Sequence, residues 1–290
     1  MKKVLVIVGP TGSGKTELSI RLAQALDTQI INGDSVQVYK GLDIGSAKIK
    51  PQEKQNIIHH LIDIVSPGED YSVYHFQRDV RALILKLDLP LIVGGTGLYI
   101  KAALAQYEFV ESSRNQDFES LYQNESNESL YQMLIFRDPD IKIDIQNRRR
   151  LLRALEQALS GELRSKKTEK DILLYDALVL YLDLDKTILE QRLKSRLDLQ
   201  IEQGFIEEVR GFREKKIYVN AIGYRELNRY LDGTYGLDEA KDEIIMASKR
   251  LAKRQKTWFK NQMHPIMLDA LSDTLFEDAL KIIQTFLKEG

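Results

Sequence analysis

A phosphate-binding motif of the pattern G-x-x-x-x-G-K-[ST] lies near the amino terminus, at Gly9, Pro10, Thr11, Gly12, Ser13, Gly14, Lys15 and Thr16. Glycines let the backbone curl so that several N–H groups point at one phosphate. Lys15 adds a point charge, and the Thr16 hydroxyl is a ligand for Mg²⁺. An apolar run at 4–8 precedes the motif and an amphipathic stretch at 17–26 follows it, which is the strand–loop–helix context such a loop requires. The motif therefore predicts a site for a di- or triphosphate, whereas a glycine-rich turn without that context would bind nothing.

Two further polar residues follow apolar runs. Asp34 comes after the short strand predicted at Ile30–Ile31, and Thr96 comes after the run at 89–93. Ligands of a doubly wound sheet bind beyond the carboxyl ends of its strands, so both residues are expected beside the phosphate loop. Asp34 is either a functional residue of this site or a helix cap or turn residue, and its position alone leaves both readings open. The run at 89–93 ends in Gly-Gly-Thr and not in the Asp that motor ATPases and GTPases use for Mg²⁺, which favours a small kinase or a group-transfer enzyme.

Basic residues form three sets. Arg192 and Arg196 lie one turn apart on a predicted helix that opens at 183–187, where they either neutralise phosphates or form surface ion pairs. Residues 244–260 contain no acid but hold Lys249, Arg250, Lys253, Arg254, Lys256 and Lys260. At 100° per residue the first five fall on one helix side, opposite Ile244, Ala247, Leu251 and Trp258. Arg148, Arg149, Arg150 and Arg153 make a further patch. These surfaces predict contact with a nucleic-acid backbone despite a net charge of -1, the alternative being solvated basic helices.

The elements that must hold these residues alternate between buried strands and amphipathic helices. Further examples are a predicted helix at 78–87 and a strand at 177–182, and the alternation predicts a doubly wound parallel α/β sheet. Between Gln106 and Lys170 the strand runs disappear and leucines recur at helical spacing. We therefore expect a core of residues 1–105 and 171–290 with a helical insertion domain at 106–170. The chain has no cysteine, which excludes disulfides and thiolate zinc sites, and no run predicts a leader or a membrane span, so the cytoplasm is expected.

The ordered motifs together resemble the bacterial tRNA dimethylallyltransferase family. They span nearly the whole chain, and they are residues 9–16, Gly33-Asp-Ser-Val-Gln-Val-Tyr-Lys40, Asp43-Ile-Gly-Ser-Ala-Lys48, His60-Leu-Ile-Asp63, Gly94-Gly-Thr-Gly-Leu-Tyr99, Arg153-Ala-Leu-Glu156, Ala221-Ile-Gly-Tyr224 and Leu251-Ala-Lys-Arg-Gln255. Adenylate isopentenyltransferases are related, but the insertion and the basic carboxyl-terminal segment resemble those of the tRNA enzymes. Gln146-Asn147 departs from the family's usual Asn-Asp, and the stretch at 108–141 is short, with no match for the family's Arg there.

The resemblance implies transfer of a dimethylallyl group from its diphosphate to N6 of adenosine 37, beside the tRNA anticodon. It implies that Asp34 is the general base, that Thr96 contacts the flipped adenine and that Arg196 binds diphosphate with Lys15, Thr16 and the cofactor Mg²⁺. The tRNA-binding residues it implies are Asp34, Ser35, Val36, Gln37, Thr96, Arg149, Arg150, Leu151, Leu152, Arg153, Arg250, Lys253, Arg254 and Gln255. The implied partners are the anticodon stem-loop and dimethylallyl diphosphate, with no membrane and no obligate protein partner for a monomer. A loop shaped for diphosphate will also accept ATP.

Two other functions fit parts of the pattern. A small-molecule or nucleotide kinase would use ATP on the same loop and would need no tRNA. A non-catalytic, nucleotide-gated RNA-binding module would keep its function without Asp34, whereas the transferase predicts a large rate loss with RNA binding mostly kept.

Overall fold

A computed structural model describes residues 1–107, 109, 115–166 and 171–289. The expected insertion at 106–170 thus includes residues 108, 110–114 and 167–170 that lie outside the described part. The chain divides into two compact units, one of Met1–Leu104 with Leu174–Gly290 and the other of Ala105–Leu173.

The first unit is built on a six-stranded parallel sheet, as the alternating pattern predicts. Its strands are β1 (Lys3–Val8), β2 (Ile30–Gly33), β3 (His59–His60), β4 (Leu91–Gly94), β5 (Asp176–Asp183) and β6 (Ile266–Asp269). They are ordered β3-β2-β4-β1-β5-β6, which places β1 and its following loop near the centre. Neither β3 nor β6 was predicted, because β3 consists of two histidines and the apolar run of β6 is only Ile266-Met267-Leu268.

Strand β1 shows why an uninterrupted apolar sequence is needed at the centre of this sheet. Val4, Val6 and Val8 face one hydrophobic cluster, and Leu5 and Ile7 face a second cluster on the other side. Both faces are therefore covered, which is typical of parallel sheets. Strand β4 begins at Leu91, two residues later than predicted, and Pro90 before it has no amide hydrogen to donate to the ladder.

Eleven α-helices occur in the described ranges. They are α1 (Lys15–Ala25), α2 (Val73–Lys86), α3 (Gly97–Leu104), α4 (Gln116–Leu121), α5 (Asn127–Arg137), α6 (Arg148–Leu159), α7 (Lys186–Glu202), α8 (Phe205–Glu214), α9 (Tyr224–Leu231), α10 (Leu237–Met263) and α11 (Leu275–Lys288). Helices α1 and α11 cover one sheet face, and α2, α3 and the end of α10 cover the other. Helices α7 to α10 form a third cluster beside the sheet. Helix α2 begins five residues before the predicted start because Ser72 and His75 form a capping box.

The second unit contains α4 to α6 around its own apolar cluster. The structure corrects the expected roles of three residues here. Leu151 and Leu152, expected to contact tRNA, are buried in this cluster, so their side chains support α6 and are not available to a ligand. Arg148 donates to the carbonyl oxygens of Tyr122 and Glu125, both at 2.6 Å, and therefore ties the α4–α5 segment to α6 instead of joining the basic patch. In the described ranges, no helix is both long and apolar enough to cross a bilayer.

Candidate active site

The phosphate loop follows β1 and leads directly into α1. Gly12 and Gly14 adopt φ values of 85° and 86°, a region that residues with a side chain rarely enter. The Lys15 Nζ donates to the carbonyl oxygens of Gly9 at 2.9 Å and Pro10 at 2.7 Å. The buried Ser13 hydroxyl and the Ser13 backbone amide also donate to the Pro10 carbonyl oxygen, at 2.9 Å and 3.3 Å, so Ser13 holds the shape of the loop.

A cavity of about 350 Å³ lies against this loop. Its wall includes Thr11, Lys15 and Thr16 from the loop, Asp34 from the turn after β2, and Arg192 and Arg196 from α7. Parallel strands that end at one edge of the sheet bring these distant residues together, as the sequence predicts. The site therefore offers cations and loop amides for an anion, with one carboxylate beside them.

Asp34 is held by its own turn and by a buried residue in β2. Its Oδ1 accepts a hydrogen bond of 2.8 Å from the amide of Val36, which is an Asx turn and not a helix cap. The Asn32 side chain accepts from the Asp34 amide at 3.1 Å and donates to the Asp34 carbonyl oxygen at 3.0 Å. Its amide nitrogen also donates to the carbonyl oxygen of Leu61 at 3.0 Å. Asn32 thus fixes the backbone of the turn that carries the Asp34 carboxylate.

Thr96 joins the turn after β4 to the turn after β2. Its backbone amide donates to the carbonyl oxygen of Gly33 at 3.2 Å, and its hydroxyl accepts from the Ser35 amide at 3.1 Å. The two strands approach closely here, since a Cβ on Gly94 would lie 2.2 Å from the Gly33 carbonyl carbon. Only glycine fits at 94. Because the two turns lie this close together, Thr96 contacts Ser35, the residue next to Asp34.

Two cations of the cavity, Lys15 and Arg196, are partly shielded from water. Burial lowers the pKa of Lys15 to about 8, and the nearby Asp34 carboxylate opposes that shift while Arg196 adds to it. Burial likewise lowers the pKa of Arg196, against the attraction of Asp34 and Glu53. Arg192 donates to the Gly12 carbonyl oxygen at 2.9 Å, which fixes α7 against the phosphate loop. An anion entering this cavity would favour the charged form of Lys15 and raise its pKa.

A second cavity of about 180 Å³ adjoins the first and shares with it Thr11, Asp34, Ser46, Ala47 and Arg196. Most of its remaining wall is apolar and comes from Val36, Leu193, Leu197, Phe205, Ile222, Tyr224, Ile244, Ile245, Leu251 and Ala252. Leu251, which the helical periodicity assigns to the packed side of α10, therefore borders this cavity. The sequence did not predict the second cavity, because its walls come from many separate segments between Thr11 and Gln255.

Helix α10 lies over this end of the sheet. Gln255 donates to the Gly95 carbonyl oxygen at 2.9 Å, and Trp258 packs on Gly97. Two members of the expected basic stripe are paired through other elements, Lys256 with Asp183 at 2.7 Å and Lys249 with Glu190. Arg250, Lys253 and Arg254 are exposed, and the described part of the chain supplies no ion-pair partner for them. The unpaired stripe is therefore narrower than the sequence predicted.

Several residues near the site were not found by sequence reasoning. His59 borders the first cavity, and burial lowers its pKa. Asn32 is only 4% exposed, and a buried amide inside an otherwise apolar strand was the available signal. Gln200 and Glu208, both outside the recognised motifs, hold the segment at 43–45 that leads into the cavity wall.

The parallel sheet, the loop that follows its central strand and the cations facing that loop define a P-loop α/β enzyme that acts on a phosphorylated substrate. The chain belongs to the IPP transferase family, whose model matches residues 37–262. An isopentenyl transferase model also matches residues 2–63.

Similar proteins cover the whole chain. A tRNA dimethylallyltransferase of Acholeplasma laidlawii is 52% identical over 99% of both chains. The crystal structure of a Bacillus halodurans tRNA isopentenylpyrophosphate transferase is 35% identical, with a TM-score of 0.77 over 100% of this chain and 98% of that one. A eukaryotic dimethylallyltransferase solved acting on tRNA is 28% identical, with a TM-score of 0.87 over 99% of this chain and 80% of that one.

Proposed function

We propose that this chain transfers the dimethylallyl group of dimethylallyl diphosphate to N6 of adenosine 37 in tRNA. Diphosphate is released, and the product is N6-(dimethylallyl)adenosine. Membership of the family and the names of its relatives support the reaction class. The observation that carries the proposal is the position of Asp34, which borders both the cationic cavity and the apolar one.

The cationic cavity suits the diphosphate. The loop amides, Lys15, Arg192 and Arg196 would surround its oxygens before reaction and remain in place as the C1–O bond breaks. Negative charge then develops on the leaving diphosphate, and fixed cations and dipoles stabilise that charge without reorganising. The apolar wall of the second cavity suits the dimethylallyl chain, which has no polar group.

A magnesium ion fits the donor set at the start of α1. The exposed hydroxyl of Thr16 is a hard oxygen ligand on the cavity wall. Mg²⁺ commonly takes one or two protein oxygens together with substrate phosphates and waters, so no cage of carboxylates is needed. Bound there by Thr16, it would neutralise charge on the diphosphate.

Asp34 would accept the proton that N6 loses. The N6 lone pair is delocalised into the adenine ring, and the amino group is far too weak an acid for a carboxylate to deprotonate it before reaction. As the N6–C1 bond forms, the C1–O bond breaks and N6 becomes acidic, and its proton passes to the carboxylate. Such a base contributes about 10²- to 10⁴-fold to the rate.

The tRNA would be bound through exposed arginines and lysines. Arg250, Lys253 and Arg254 on α10 belong to the first unit, and the exposed Arg149 and Arg150 on α6 belong to the second. Arg153, also on α6, is partly buried and pairs with Glu156 at 2.6 Å, so its charge is already partly neutralised. Contacts of this kind go to phosphates and position the RNA. The adenosine must leave its stack to reach Asp34, and an unpaired loop base does so at lower energetic cost than a paired one. We propose that the unit at 105–173 is a tRNA-binding domain.

The test is transfer of radiolabel from dimethylallyl diphosphate to unmodified tRNA with Mg²⁺ present. We expect label in the tRNA for the wild-type chain and a rate reduced by about 10²- to 10⁴-fold for Asp34→Asn, whose Oδ1 keeps the Val36 hydrogen bond. Asp27→Asn is the matched control, because Asp27 is exposed at the opposite end of β2. Absence of label from every tRNA, with ATP consumed on a small acceptor, would identify a kinase instead. Full activity of Asp34→Asn would remove Asp34 as the base.

A further inference from the structure

Glu208 on α8 accepts hydrogen bonds from three successive backbone amides outside its own helix. Its Oε2 accepts from Asp43 at 3.0 Å and from Ile44 at 2.8 Å, and its Oε1 accepts from Gly45 at 3.1 Å. The Tyr224 hydroxyl donates a fourth bond of 2.5 Å to Oε1. Burial and this neighbouring carboxylate raise the pKa of Tyr224, so the phenol remains the donor.

The carbonyl groups of the same segment are held from α7. Gln200 Nε2 donates to the carbonyl oxygen of Ile44 at 2.5 Å and to that of Gly45 at 3.3 Å. One turn earlier on α7, Arg196 donates to the carbonyl oxygen of Ala47 at 3.5 Å. The segment at 43–47 therefore has its amides bound by one helix and its carbonyls by another, which fixes both of its faces.

This segment forms the wall between the two cavities. Ser46 and Ala47 border both of them, and Arg196, which touches Ala47, borders both as well. A change in the path of the segment would move the acceptor of Arg196 and reshape the cationic cavity. Glu208 itself borders neither cavity, so its effect on a ligand must pass through the segment.

We infer that Glu208 is a positioning residue, which orients the 43–47 segment and through it holds Arg196 in the geometry that binds diphosphate. The inference rests on the proposed function only in the identity of the anion. A carboxylate suits this task because it has acceptor sites for four donors and no hydrogen of its own. A glutamine has one oxygen and one NH₂ group, so at least one backbone amide would face another donor.

The test compares Glu208→Gln with Glu207→Gln in the full chain. Glu207 directly precedes Glu208 on α8, its side chain is 65% exposed, and among the described residues its ion-pair partner is Arg210 on the same helix, at 3.8 Å. Each substitution removes one negative charge, so differences between the variants report position and not charge. Three quantities are measured at a temperature where both variants are folded: the Kd for inorganic diphosphate, and the KM and kcat of transfer to tRNA.

We expect Glu208→Gln to raise the Kd for diphosphate about tenfold, the equivalent of losing one hydrogen bond to a charged group, and to raise the KM for dimethylallyl diphosphate. The KM for tRNA should stay the same, and Glu207→Gln should match the wild type. A folded Glu208→Gln with unchanged diphosphate Kd would overturn the inference. If Glu208→Gln does not fold, the diphosphate Kd of Tyr224→Phe is the test instead. That variant removes one of the four hydrogen bonds to Glu208 and keeps the aromatic ring. A two- to fivefold higher Kd supports the inference, and an unchanged Kd overturns it.

Diphosphate binding is measured without tRNA, so it separates the two proposals. A wild-type chain that transfers no label to tRNA would end the proposed function. The comparison of diphosphate affinities would still decide the role of Glu208.

Discussion

The hydroxyl oxygen of Thr96 lies 3.1 Å from the backbone nitrogen of Ser35 and accepts its hydrogen bond. This contact joins the turn after β4 to the turn that carries Asp34. The same hydroxyl donates to Ser35 Oγ at 3.3 Å. Thr96 therefore holds the turn that carries the Asp34 carboxylate in the absence of RNA. This contact is separate from the adenine contact that the family resemblance implies.

Replacing Thr96 with Val should slow transfer more than it destabilises the fold. Valine keeps the shape of threonine but leaves the Ser35 amide without its acceptor, which costs about 1–3 kcal/mol if the group stays dry. We expect kcat to fall about tenfold or more, since the turn with Asp34 loses a fixed contact. Thr96→Ser, which retains the oxygen, should stay within about threefold of wild type. Steady-state kinetics beside urea unfolding checks this, and equal rates for both variants would contradict it.

Asn32 should be the most stability-sensitive polar residue of the site. Asn32→Leu leaves the Asp34 amide and the carbonyl groups of Asp34 and Leu61 without their present partner. Because Asn32 is buried, we expect unfolding free energy to fall by about 2–4 kcal/mol. Asn261→Leu, at an exposed position of α10, is the control and should change it by less than about 0.5 kcal/mol. Chemical denaturation measures both, and similar effects from the two would refute the role given to Asn32.

Diphosphate affinity should fall as the pH rises through the pKa of Lys15. Burial lowers that pKa to about 8, so the free protein carries the ammonium below this pH and loses it above. A bound anion favours the charged form, and binding above pH 8 must therefore include uptake of a proton. Calorimetry with inorganic diphosphate from pH 7 to 9.5 should show this loss for wild type.

The ligand itself titrates in that range, and Lys15→Met supplies the correction. The ratio of wild-type to Lys15→Met affinity isolates the lysine, because the ligand's protons affect both proteins equally. This ratio should decrease above pH 8. A ratio that stays constant across the range would mean that Lys15 keeps its charge throughout.

Substitutions on the exposed face of α10 should weaken tRNA binding in a salt-dependent manner. Lys253→Ala and Arg254→Ala should each raise the KM for tRNA and leave kcat unchanged, because phosphate contacts bind without taking part in chemistry. Each should reduce the slope of log K against log salt by about 0.7, the value for one phosphate contact on single-stranded nucleic acid. Lys281→Ala on α11 is the control, since α11 packs on the opposite face of the sheet from α10. Identical salt slopes in all variants would exclude α10 as a phosphate-binding surface.

The sequence by itself was sufficient for the central strand, the phosphate loop and the family. These features are local: a strand buried on both faces must be apolar at every position, as 4–8 are, and a loop around a phosphate needs glycine and lysine at fixed spacing. Arg192 and Arg196 were also predictable as a pair, because helical spacing alone puts them on one face. Asp34 could be placed beside the loop by the rule for parallel strands.

Only the tertiary structure decided what surrounds these residues. The path of the 43–47 segment depends on Glu208 and Gln200, which lie more than 150 positions later in the chain. Leu151 and Leu152 are core residues because α5 packs on α6, and Lys256 is paired because β5 ends beside α10. Such contacts depend on how the elements pack. The periodicity of a sequence identifies the apolar face of a helix, but it does not identify the element that packs on that face. The chemistry of the site's side chains could thus be predicted from the sequence. The contact partners and burial of those side chains, and the second cavity, were determined by the fold.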